Sequence, residues 1–224
     1  MADAARRRPC LPPGAAWRAL GLALLLSAAA CAGAPEMAGA APLPVPNEKP
    51  AAAAMHAASI PGPACVSEHR VVIEEALVVA RQRMAVAIRV AETQPEHPNL
   101  RRWFGDAPRP VIAERLRRTA AWLDRPDAIK ILCNDPHGCQ GWRMAYAAPS
   151  RRIVGLCPAF FRARMTGFDS RWGVLVHEAS HLGAGTQDHA YGAYAAAVLA
   201  KQDPARAAEN ADNYEYFVET LGQD

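Results

Sequence analysis

Residues 177–192 read HEASHLGAGTQDHAYG. His177 and His181 stand four apart in a segment whose Val174, Leu175, Val176 and Leu182 are apolar. Such a stretch predicts a buried helix, and a four-residue step on a helix stacks both imidazoles on one face. Two imidazoles on one face can share a metal ion, yet two ligands do not close its coordination shell. The third ligand therefore decides what the segment does.

Glu178 follows the first histidine and leans toward the same ion without having to bind it. This is the HExxH arrangement, in which the glutamate takes a proton from a water that zinc activates. The bland alternative is a pair of buried histidines with Glu178 on the helix surface. A metzincin would place a histidine or aspartate six residues after the second histidine and a glycine three after it; here those places hold Gln187 and Ala184. A thermolysin-like enzyme would take a glutamate from about twenty residues on, where Lys201, Gln202 and Asp203 stand and no glutamate comes before Glu209. Asp188 remains. Gly183 and Gly185 allow the chain to fold back after the helix, and a carboxylate is a competent zinc ligand. Two imidazoles and one carboxylate leave a fourth position for water, as catalysis by zinc requires.

The start of the chain points to export. Arg6, Arg7, Arg8 and Arg18 precede the short apolar run ALGLALLLSAAAC, which ends at Cys31. A charged start, a greasy middle too short to span a bilayer and small residues at the end read as a secretory signal over residues 1–31. SAAAC resembles a lipoprotein signal, in which Cys31 is lipidated; ordinary cleavage after Ala38–Ala40 competes with it. Residues 32–63, rich in Ala, Pro and Gly, read as a flexible tether. The expected location is the bacterial envelope, as an outer-membrane or periplasm-facing lipoprotein, or else secretion. A lipid anchor is the one membrane contact expected.

The formal charge is +3, and residues 1–30 alone carry four arginines against Asp3, so the rest is near neutral. With no basic stripe, nucleic acid is excluded as a partner. Cys65, Cys133, Cys139 and Cys157 follow the leader, an even number that predicts two disulfides in an exported chain. Their spacing leaves three pairings open and does not suit a zinc ribbon.

The predicted domain spans residues 64–224. Ile73, Leu77, Ala80, Met84, Ile88 and Ala91 form one apolar stripe of a long helix, with Ser67 placed as its N-cap and Pro95 and Pro98 closing it. PVIAERLRRTAAWLD predicts a second helix with Pro110 in its first turn. AIKILC, WRMAYAA and RIVGLC read as strands of a small sheet or hairpin. SRWGVLVHEASHLG, AYGAYAAAVLAKQ and PARAAENADNYEYFVETLG read as three further helices, Pro204 opening the last. The class is α+β, mostly helical with a small sheet.

HEASH followed by GTQDHAYG resembles the aspzincin peptidases, the deuterolysin and peptidyl-lysine metalloendopeptidase group, whose signature joins HExxH to GTxDxxYG. RRWFG (residues 101–105), LCPAFF (156–161) and NADNYEYF (210–217) resemble family segments as well. The resemblance implies a zincin-like metallopeptidase domain holding one zinc ion per chain on His177, His181 and Asp188. It implies Glu178 as general base and Tyr191 as a phenol assisting at the reacting carbonyl. It also implies the pairing Cys65–Cys133 and Cys139–Cys157. A hydroxyl donor near a developing oxyanion is stabilising on physical grounds too, though Tyr191 also reads as an ordinary amphipathic tyrosine at a helix start. His189 is expected to point away from the site.

Asp212 and Glu215 lie three apart on the last predicted helix and share a face. In the lysine-specific members an Asp and a Glu at similar positions receive the substrate lysine, which implies cleavage on its N-terminal side. The competing reading is a solvated acidic face capped by Glu219. The partners expected are protein or peptide substrates, and a monomer is expected. Two rival functions are a non-enzymatic surface lipoprotein with a structural zinc, and a zinc amidase acting on cell-wall peptides.

Overall fold

The structure is a computed structural model and describes residues 64–221. The expected leader, tether and lipidated Cys31 lie outside the described residues.

Helix α1 (Ser67–Thr93) buries Ile73, Ala76, Leu77, Ala80, Met84, Ala87, Val90 and Ala91, one face at steps of three and four. Ile88 sits at the margin of that face, half-buried. Ser67 does not cap the helix: Val66 holds the N-cap position without a side-chain bond, and Ser67 lies in the first turn with its hydroxyl on the Glu68 carboxylate, 3.1 Å. Pro98 closes nothing further. It opens a short helix, α2 (Pro98–Phe104), capped by the His97 ring, which accepts from the Asn99 amide at 3.2 Å. A proline suits the first turn because its missing N–H has no partner to lose there. Helix α2 drives Leu100, Trp103 and Phe104 into the core. Helix α3 (Arg109–Leu123) follows, with Pro110 in its first turn.

Strands β1 (Lys130–Cys133), β2 (Ala145–Ala148) and β3 (Ile153–Leu156) form one sheet in the order β1-β3-β2. β3 is parallel to β1 and antiparallel to β2, and as the central strand it is buried along its whole length. The disulfide Cys65–Cys133 ties the start of the domain to the end of β1, and Cys139–Cys157 closes the loop that leads into β2.

After a short helix α4 (Pro158–Arg162), helix α5 (Arg171–Gly183) carries the HExxH segment and is buried along most of its length. It packs on α3, on α1 and on α8. Helix α6 (Ala193–Gln202) comes next. The last expected helix is broken into α7 (Pro204–Ala207) and α8 (Ala211–Thr220). The break has a local cause. The Glu209 carbonyl accepts from the Gln187 amide at 2.7 Å and the Ala211 amide donates to the Gln187 carbonyl at 3.0 Å. Those groups join two chain segments and cannot also extend a helical ladder. The architecture is α+β, helical at both ends around a small three-stranded sheet.

Candidate metal centre and cleft

Helix α5 begins at Ser170, whose hydroxyl accepts from the Gly173 amide at 3.0 Å, and ends at Gly183. A Cβ at Gly183 would lie 2.4 Å from the Arg118 carbonyl, so only glycine lets α5 approach α3 this closely. The chain then turns through Gly185, at φ +69° in the left-handed region that glycine occupies without strain, and brings Asp188 back over the helix.

His177 Nε2, His181 Nε2 and Asp188 Oδ1 converge. The two nitrogens are 3.2 Å apart, and the carboxylate oxygen is 3.2 Å from His177 and 3.3 Å from His181. A tetrahedral zinc with ligands at about 2.0–2.1 Å separates its donor atoms by about 3.3–3.4 Å, so the triangle has the size a zinc ion demands. The tautomers agree with it. His177 Nδ1 donates to Asp212 Oδ1 at 2.7 Å, with Glu215 Oε2 at 3.2 Å, and His181 Nδ1 donates to the Thr186 carbonyl at 2.8 Å. With both Nδ1 atoms committed as donors, each Nε2 offers a lone pair to the centre. Asp188 Oδ1 is buried with no hydrogen-bond partner, as a ligand oxygen would be. A donor set of two imidazoles and a carboxylate suits zinc.

The field at the centre favours positive charge. Burial works against a charged His177, but the carboxylates of Asp188, Asp212 and Glu215 outweigh it and raise its pKa well above the ordinary value. Burial likewise works against the Asp188 carboxylate, and the two histidines outweigh it, holding that acid far below the usual range. A second donor cluster, His177 with Asp212 and Glu215, uses the nitrogen already committed to Asp212, so one imidazole cannot serve both.

Glu178 is buried one residue along α5, and its carboxylate lies within 4.8 Å of ring nitrogens of His177 and His181. Tyr191 donates its hydroxyl to Asp188 Oδ2; burial and that bond push the phenol pKa up. His189 turns outward instead, its ring facing Arg206 at 3.4 Å and Glu209 at 4.0 Å.

Asp212 and Glu215 are not a solvated face. They are 4 % and 3 % exposed, and Glu219 is buried with them. Asp212 spends one oxygen on His177 and the other on the Gly192 amide, 2.6 Å. Glu215 Oε1 is buried without a hydrogen-bond partner, and burial pushes the Glu215 pKa up to about 7.

His177, Glu178, Tyr191, Asp212 and Glu215 border one cleft of about 600 Å³. Trp142, Met144 and Ala159 make an apolar side, while Asp169, Asp212 and Glu215 make an acidic one, with Glu178 and Tyr191 also on its surface.

Sequence reasoning missed Thr186 and Asn210. Thr186 offers its carbonyl to His181, and its hydroxyl meets Ser180 at 2.6 Å. Asn210 accepts from the His189 and Ala190 amides at 2.7 and 3.0 Å, which holds the loop carrying Asp188. The GTQD and NADN segments were their only signal.

The family model described as lysine-specific metallo-endopeptidase, of the aspzincins, matches residues 89–219. The peptidyl-Lys metalloendopeptidase of Armillaria mellea is 53 % identical over 78 residues, 34 % of this chain and 22 % of that one. The extracellular protease of Aeromonas hydrophila is 42 % identical over 137 residues, 58 % of this chain and 38 % of that one. The chain thus matches well under half the length of these curated relatives. A solved zinc peptidase from Grifola frondosa superposes with a TM-score of 0.62 at 33 % identity, covering 69 % of this chain and 96 % of that one. With the family model matching residues 89–219, more than half of its length, the chain belongs to the aspzincin family.

Proposed function

We propose that this chain is a zinc metalloendopeptidase that cuts peptide bonds on the N-terminal side of lysine. The observation that carries the reading is the 3.2–3.3 Å triangle of His177, His181 and Asp188 donor atoms beside a buried glutamate, with His177 and that glutamate, Glu178, bordering the cleft. Those three residues would hold the metal. Zinc, when bound, acidifies a water and polarises the scissile carbonyl. Glu178 accepts the proton of the attacking water and hands it to the leaving amine. Tyr191 exchanges its bond to Asp188 for one to the carbonyl oxygen as negative charge develops there. Asp212 keeps the His177 ring oriented and basic.

Glu215 supports the lysine preference. Its Oε1 lacks a partner in a buried place at the cleft, and an ammonium would supply both the hydrogen bond and the charge. The apolar side of the cleft suits the four-carbon stem of lysine. The two disulfides fit an oxidising compartment, and an anchor on Cys31 would hold the domain at the envelope surface.

The test is mass spectrometry of the peptides released from an unfolded protein, with and without a chelator. New N-termini at lysine that vanish on chelation are expected. Cleavage that survives metal removal, or activity confined to peptidoglycan, refutes the reading. Glu215→Gln should relax the lysine preference, and an unchanged preference would refute the pocket.

A further inference from the structure

Glu219 has no task in the chemistry above, yet it is 1 % exposed inside the contact between α5 and α8. Its Oε1 accepts from the Ser170 amide at 2.8 Å and from the Ser170 hydroxyl at 2.7 Å. That hydroxyl in turn accepts from the Gly173 amide and so caps α5. The Glu219 carboxyl fills the space a side chain at 173 would need: a Cβ there would lie 2.0 Å from Oε1.

The spacing on the two helices matches. Ser170, Gly173 and His177 are separated by three and four residues, as are Asp212, Glu215 and Glu219. Each set forms one stripe on its helix, and the stripes run antiparallel. At one end Asp212 and Glu215 meet His177; at the other Glu219 meets Ser170 and the bare backbone of Gly173. A seam pinned at both ends has one register. Sliding α5 by a turn would move His177 by about 5.4 Å, well beyond hydrogen-bond reach of Asp212.

We propose that Glu219 is a positioning residue of the metal centre: by gripping the N-cap of α5 it sets the register of that helix on α8 and holds His177 Nδ1 against Asp212. The grip uses the carboxyl as an acceptor at Oε1 and needs no negative charge. Burial, with Glu215 one turn away, pushes the Glu219 pKa up to about 9, in keeping with a neutral acid. Glutamine keeps that acceptor, whereas alanine removes it. The proposal rests on His177 being a metal ligand, so its readouts are metal affinity and the His177 ring itself.

The experiment compares full-length wild-type protein with Glu219→Ala, Glu219→Gln, Gly173→Ala and His177→Ala. Zinc affinity is measured by competition with a chromophoric chelator, and the His177 Nδ1–H resonance by NMR. Glu219→Ala should weaken zinc about 10–100-fold, the range for partners behind a ligand, and shift the resonance. Glu219→Gln should restore both to within about threefold of wild type. Gly173→Ala, which displaces the carboxyl while keeping it in the chain, should match Glu219→Ala, and combining the two should add little. Wild-type affinity and an unmoved resonance in Glu219→Ala, with only the melting temperature lowered, would overturn the proposal. Should Glu219→Ala fail to fold, Gly173→Ala decides by the same readouts. Wild-type affinity in His177→Ala would instead remove the metal site on which the proposal stands.

Discussion

The two sides of helix α5 are built from opposite materials. Toward α3 it presents small and apolar groups: Gly183 lies against the Arg118 backbone and the Trp122 ring, and Leu175, Ala179 and Leu182 share a small apolar pocket with Trp122 and Leu123. Toward α8 it presents His177, Gly173 and Ser170 to three buried carboxyl groups. Apolar burial stabilises by about 25 cal/mol per Å², whereas a buried acid costs free energy unless it is hydrogen-bonded or neutral. One side of the helix therefore supplies the stability that lets the other side hold an unfavourable but chemically useful arrangement.

That division can be broken or sharpened by mutation. The largest effect is expected from Glu178→Gln, which takes away the proposed proton acceptor and should lower kcat by about 10²–10⁴-fold while zinc content, read by metal analysis, stays at one per chain. Retained turnover would strip the buried glutamate of its role. Next comes the apolar side. Leu116→Ala, at a fully buried position of α3, should cost about 2–5 kcal/mol in urea unfolding with kcat per folded molecule unchanged. A fall in kcat of the folded protein would show that the two sides are not separable. On the polar side, Asp212→Asn should weaken zinc by about 10–100-fold in chelator competition and change stability far less than Leu116→Ala does.

The smallest effect is on pH dependence. Glu219 has its pKa raised from the ordinary 4.5 to about 9, so the folded state keeps a proton that the unfolded chain releases. Its contribution to stability is whole below the ordinary pKa and is lost as pH rises through about 9. Glu219→Gln should flatten the decline in unfolding free energy between about pH 5 and pH 9. An identical slope in wild type and variant would mean that the acid is already ionised in the fold.

The long helices and the strands were legible because they rest on local periodicity. The stripe from Ile73 to Ala91 and the apolar runs around β1 and β3 declare themselves within a few residues. Helix α2 was missed because seven residues carry little periodic signal and Pro98 reads equally as an end or a beginning. The unbroken helix expected over 204–222 failed for another reason: the Glu209 and Ala211 backbone groups are claimed by Gln187, a partner more than twenty residues away. For Asp212 and Glu215 the sequence left a lysine pocket and a solvated acidic face in competition, because it shows that two acids share a face, and not what that face meets.

The order of residues alone determined that two imidazoles and a glutamate share a helix, and it narrowed the candidates for a third donor to Asp188, because spacing within one helix and the residue types at a few nearby positions are local properties. Only the tertiary structure decided that Asp212 stands behind His177, that Thr186 stands behind His181, and that Glu219 grips the start of α5. Those contacts depend on the depth and register at which helices pack, which are set by the shapes of many side chains at once and by one missing side chain, at Gly173.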